Sequence, residues 1–132
     1  MTQEEEKNLL LKDLCTRLPY GVRYRHFTWN DKYGETYIAA QIYSINTDGY
    51  VKNCHDDETV YIDNVRPYLF PLSSMTEEQK KEYQYITERW MNDPAYSISD
   101  SIDWLNKHHF DYRGLIEKGL ALEAPEEMYK TE

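Results

Sequence analysis

The hydrophobic period of this chain changes twice along its length, and that constrains its fold more than any other feature. Leu10, Leu11, Leu14 and Leu18 recur at helical spacing, alternation at every second residue sets in from Val22, and spacings of three and four return after Leu72. A block of strands set between helical blocks argues for α+β rather than alternating βα units. The expected fold is an N-terminal helix, an antiparallel meander of about four to five strands, then two to three C-terminal helices. The 132 residues suffice for one domain and are too few for two ordinary ones. Residues 1–122 are therefore read as one α+β domain, with a helix over 1–21, the meander over 22–72 and a helical segment over 73–122. Acidic and small residues around Pro125 predict a flexible acidic tail over 123–132.

Local signals place the boundaries. Thr2 and Glu5 have capping-box spacing, Glu4 to Glu6 suit the positive end of the helix dipole, and Pro19 and Gly21 end the helix. Strands are expected from Val22 to Trp29, Thr36 to Asn46, Tyr50 to Asn53 and Thr59 to Asp63, with a polar turn at Asn30 to Gly34 and a tight reversal at Asp48-Gly49. Pro67 and Pro71 confine their segment to a sheet edge or a strapped-down connector. Ser74 or Thr76 caps the next helix, which presents Tyr83, Ile86 and Trp90 on one face. Ser99 or Asp100 starts a helix carrying Ile102, Trp104 and Leu105 inward, and Asp111 caps a last turn-rich one. The sheet is expected open or partly curled, an SH3-like barrel being the alternative, with the Leu stripe and the C-terminal helices over one face.

Charge and composition exclude several functions. Fifteen Lys and Arg against 24 Asp and Glu leave a net charge of −9, the wrong sign for releasing counterions from nucleic acid. No apolar run reaches membrane-spanning length. The opening MTQEEEKNLLLKDL has acids where a secretory leader carries Lys or Arg, and the two cysteines form no CxxC and no zinc spacing. A cytoplasmic location without membrane association is the expectation.

Local chemistry is thin. His108-His109 with Asp103 and Asp111 is the densest set of metal-ligand residue types, but adjacent helical side chains diverge by about 100°. Cys54-His55-Asp56-Asp57-Glu58 gathers a thiol, an imidazole and carboxylates, yet sequence neighbours seldom converge on one reacting atom, and Cys54 reads as a small buried hydrophobe. Phosphate loops and nucleophile elbows are absent. The reading assigns no catalytic residue, no metal and no cofactor. Thirteen tyrosines instead suggest half-buried sheets and contact surfaces. Arg23, Arg25, Trp29, Tyr33, Tyr37 and Tyr43 are the candidate contacts, because strand alternation puts Arg23, Arg25, Phe27 and Trp29 on one face. A non-enzymatic protein that binds another protein is the favoured reading. An acidic inhibitor imitating nucleic acid, and a small hydrolase or metal enzyme using His108, His109 or Cys54, are the alternatives. Homodimerisation through a strand edge or the tyrosine face stays open.

Three strings carry a resemblance: LLLKDLCTRLPYGV from Leu9 to Val22, RPYLFPLSSMTEE from Arg66 to Glu78, and DWLNKHHFDYRGLI from Asp103 to Ile116. Together they resemble a family of short, uncharacterised proteins from Bacteroides-type gut bacteria and their phages and mobile elements. The resemblance implies a cytoplasmic bacterial or phage-derived protein and brings no activity, cofactor or catalytic residue. The stretch from Arg23 to Thr59 lies outside it, which suits a fixed frame holding a changeable sheet.

Overall fold

The first helix, α1 (Gln3–Arg17), starts on the expected capping box: the Glu5 N–H donates to Thr2 Oγ1 at 3.1 Å, and the Glu5 carboxylate accepts from the Thr2 N–H at 3.4 Å. It ends in a 3₁₀ turn and Gly21, whose φ of 73° is a left-handed conformation that favours glycine. The computed structural model describes residues 1–30, 32, 34–56 and 58–129, and Asn30 by its backbone only.

Four antiparallel strands come next, β1 (Arg23–Asn30), β2 (Gly34–Ile45), β3 (Tyr50–Asn53) and β4 (Thr59–Tyr61), paired in chain order. The β1–β2 register sets Tyr24 opposite Ala40 and Phe27 opposite Tyr37. The Asp48-Gly49 reversal forms as expected. Asn46 Oδ1 accepts from the Asp48 and Tyr50 N–H groups, and a Cβ on Gly49 would come within 3.1 Å of Ile62. The sheet curls into a half-barrel. After β4 the chain makes a 3₁₀ turn (Ile62–Asn64) and returns to the outer edge of β1, where Tyr24 bridges Pro67 and the Arg25 N–H donates to Arg66 O at 3.2 Å. Pro67, lacking an N–H, is tolerated because the pairing is a single bridge at an edge.

Leu10 and Leu14 of α1 pack into the concave face against Val22, Tyr24, Ala40, Ile42 and Val51, joined by Leu115, Leu120 and Ala121. The expectation that the C-terminal helices also cover this face needs correction. The helices α2 (Glu77–Asn92) and α3 (Ile98–Lys107) pack on each other around a second cluster of Trp104, Leu105 and Phe110. No residue of α2 is fully buried; its stripe of Tyr83, Ile86 and Trp90 serves α3, with Trp90 Nε1 donating to Ser101 Oγ at 2.8 Å. Beyond α3 the chain forms a run of turns rather than a helix, held by the Asp111 carboxylate accepting the Leu115 and Ile116 N–H groups at 2.8 and 2.9 Å.

The C-terminal segment makes contacts with the sheet over its described part. β5 (Tyr68–Leu69) and β6 (Leu122–Glu123) pair in parallel, and the Ala124 N–H donates to Leu69 O at 2.8 Å. Tyr129 then anchors the chain: its hydroxyl accepts from the Arg23 N–H at 2.7 Å and lies 2.8 Å from Tyr68 O, within donating distance. The acids of this segment are exposed while one half-buried ring holds it, and composition alone registers the former.

The polar residues of α1 tie the two clusters together. Arg17, fully buried, donates to both Asp13 oxygens at 2.8 and 3.2 Å and to Phe110 O at 2.6 Å. Arg113 Nε donates to Asp13 Oδ1 at 3.1 Å, and Thr16 reaches Asn106 at 3.3 Å. Removing one member of a buried ion pair strands the other charge without water. Asp13→Ala is therefore expected to destabilise the fold by about 3–5 kcal/mol, read as a shift in the urea midpoint, whereas Glu77→Ala, in an exposed pair with Lys80, should change it by less than about 1 kcal/mol.

Candidate functional site

Strand alternation on β1 sends two chemistries in opposite directions. Tyr24 and His26 face the concave core, whereas Arg25, Phe27 and Trp29 face outward beside Tyr37 of β2. On the outer face Trp29 is 67% exposed and Tyr37 60%. Phe27 meets Tyr37 edge to face at 5.7 Å between ring centroids, and the Arg25 guanidinium lies 5.0 Å over the Tyr37 ring. Tyr43 continues this face down β2, half exposed. Arg23 is half-buried, its guanidinium 5.9 Å from the Tyr129 ring. Five of the six candidate contacts thus share one sheet face; the sixth, Tyr33, lies outside the described residues.

In an acidic chain, guanidinium groups usually find carboxylates. Among the described residues Arg23, Arg25 and Arg66 have none within 4 Å, while Arg17 and Arg113 share Asp13. Arg66 is held by its own backbone, donating to Asp63 O at 3.1 Å and Val65 O at 2.9 Å. Beside this face, between the edge of β1 and the edge of β4, opens a cleft of about 290 Å³. Arg25, Phe27, Tyr37, Glu58, Val60 and Arg66 line its walls, with Tyr24 and His26 beneath.

The inward side of β1 builds a polar network that the sequence did not disclose. Asn53 Oδ1 accepts the His55 and Asp56 N–H groups, both at 2.8 Å, so its amide nitrogen is fixed toward Tyr24 Oη, 2.9 Å away. Tyr24 Oη therefore accepts from Asn53, and its own proton goes to His26 Nδ1 at 3.1 Å. Burial pushes the Tyr24 phenol up, so it keeps that proton. The His26 proton then sits on Nε2, which donates to Asp56 Oδ2 at 3.0 Å. The Glu58 N–H on Asp56 Oδ1, at 2.9 Å, is the main cause holding the Asp56 carboxyl below its usual range; His26 and Asn53 add to it.

The ligand atoms of His26, Asp56 and Glu58 lie within 4.8 Å of one another, a spacing that could hold a cation. The wiring opposes it. An ion at Nε2 would force the ring proton onto Nδ1, against a phenol already accepting from Asn53, and the Tyr24 proton would lose its acceptor.

The other expected clusters are pulled apart. The His108 ring packs tilted against Trp104 at 4.4 Å between centroids, and the His109 ring stacks on Tyr129 at 3.7 Å. His109 has a φ of 60°, which turns its ring away from the line of α3. Cys54 is exposed rather than buried, and Cys15 is exposed too. Asp57 lies outside the described residues. Among the described residues no helix is long and apolar enough to cross a membrane. Compared with known proteins, the chain matches no family model, no curated protein and no solved structure.

Both histidine environments can be measured. Burial, helped by the nearby Arg17 charge, lowers His109 from 6.5 to about 4, so it stays neutral when folded while the unfolded chain takes up a proton near 6.5. Stability is thus full above that value and declines as pH falls toward about 4, with a slope approaching about 1.4 kcal/mol per pH unit. His109→Asn, which tolerates the left-handed backbone, should lose that slope in pH-dependent urea titrations. Tyr24→Phe strips the donor from His26 and the acceptor from Asn53; we expect a loss of about 1–3 kcal/mol, with the His26 ring nitrogen signals shifted in NMR spectra.

Proposed function

We propose that this chain is a non-enzymatic protein-binding module, an accessory factor of a cytoplasmic bacterial or phage system, and that it binds through the outer face of the β1–β2 hairpin. The observation carrying this reading is the surface itself, where Arg25, Phe27, Trp29, Tyr37 and Tyr43 stand together with little cover. Aromatic and Arg side chains are the residue types that anchor protein interfaces. They carry large contact area at low entropic cost, and Arg reaches over rings and to carboxylates alike. The divergence of the His108 and His109 rings onto different aromatic partners supports a binding role over a centre built on that pair. The resemblance of the three flanking strings supports the bacterial or phage setting, with the sheet between them as the variable part.

The test is recovery of a partner from the native host at physiological salt and expression level. Wild-type protein should bring down a protein partner, and Trp29→Ala/Tyr37→Ala, altering only exposed rings, should reduce recovery by about tenfold or more. Recovery of the bare wild-type chain, or equal recovery by the double variant, would overturn the reading.

A further inference from the structure

The edge of β1 has a geometric property that side-chain exposure does not describe. Each strand residue directs its N–H and C=O to one side, and successive residues alternate. The Arg25 N–H points away from β2, because it donates to Arg66 O. Phe27 and Trp29, two and four residues on, therefore direct their main-chain groups to that same outer side. Arg66 is the last partner there: the preceding 3₁₀ turn (Ile62–Asn64) carries the chain away from β1, and among the described residues nothing pairs beyond Arg25. The cleft between β1 and β4 opens at this seam.

Sheet edges in folded proteins are ordinarily blunted by Lys, Pro, a bulge or a covering segment, since a bare edge recruits other strands. Among the described residues the stretch Phe27-Thr28-Trp29 carries none of these, and its register with β2 is unbroken. Among the described residues Arg25 and Arg66 flank the seam without carboxylate partners within 4 Å, Phe27 and Val60 supply apolar walls, and Glu58 is the one carboxylate in the lining, facing His26 at 3.7 Å.

Resting on the protein-binding reading above, we infer that the occupant is an extended acidic segment of the partner, added as a strand along the outer edge of β1. Its backbone completes the pairing that the chain abandons after Arg66, its carboxylates meet Arg25 and Arg66, and its apolar side chains enter the cleft over Val60. Strand addition draws affinity from main-chain hydrogen bonds and specificity from alternate side chains, and guanidinium groups bind carboxylates through two parallel N–H donors. A single-stranded nucleic acid could stack on the same rings, but it offers no alternating ladder of donors and acceptors.

The probe is a short fluorescein-labelled peptide of alternating Glu and Val, titrated into the full chain and followed by anisotropy. Binding is expected, weakened about tenfold or more by Arg25→Glu/Arg66→Glu, and replacing the peptide's Glu by Lys should abolish it. Methylating every second amide of the peptide in one register should eliminate binding, while the other register is tolerated; this arm needs no protein variant. Equal binding of both methylated peptides, no binding of the acidic peptide, or tighter binding of labelled oligothymidylate would each overturn strand addition. If the acidic peptide fails while host partner recovery still depends on Trp29 and Tyr37, strand addition falls and the protein-binding reading stands. If partner recovery fails as well, both fall.

Discussion

A buried guanidinium sets how the two apolar clusters of this molecule meet. Arg17 has no access to water, and its charge is answered by Asp13 one turn earlier on the same helix and by a main-chain carbonyl of the segment after α3. Asp13 in turn receives Arg113 from that segment. The sheet with α1 forms one apolar cluster and the α2–α3 pair another, and these polar groups join them at the face of α1 that the leucines leave free. Such a junction contributes modestly while intact and costs heavily when halved, since desolvation of each ion is offset only by its partner. It fixes how the two clusters meet more than it adds to their cohesion.

Curling of the sheet then decides what each side of β1 can do. The concave side is closed by α1 and the turns around Leu115 and Leu120, so a histidine placed there must satisfy its nitrogens inside the protein. His26 does so through Tyr24 and Asp56, and the orientation of one amide, that of Asn53, dictates every proton position along the row. The convex side has no such demand. Its rings and guanidinium groups contact one another across the strands, and among the described residues nothing pairs with the edge of β1 beyond Arg25, where the chain turns away after β4.

The C-terminal segment shows how one residue can outweigh a composition. Residues 122–129 combine a two-residue parallel strand with a tyrosine whose hydroxyl joins β1 to β5 and whose ring covers His109. The same ring helps exclude water from His109, so the depressed pKa of that side chain and the docking of the tail have a common origin.

Much of the architecture was written in local pattern. The periods of 3.6 and 2, the Thr2 and Thr76 capping boxes and the Asp48-Gly49 reversal act over a few residues, so the order of helix, strands and helices and the outward face of β1 follow from sequence alone. Local pattern says nothing about what meets across long separations. His26 and Asp56 are 30 residues apart, and Arg17 and Phe110 are 93, so their encounters depend on how far the sheet curls and where the last turns settle. The same holds for the split into two clusters, the pinned tail and the free edge of β1. Each is fixed by which buried group finds a partner once water is excluded, and that condition exists only in the assembled fold.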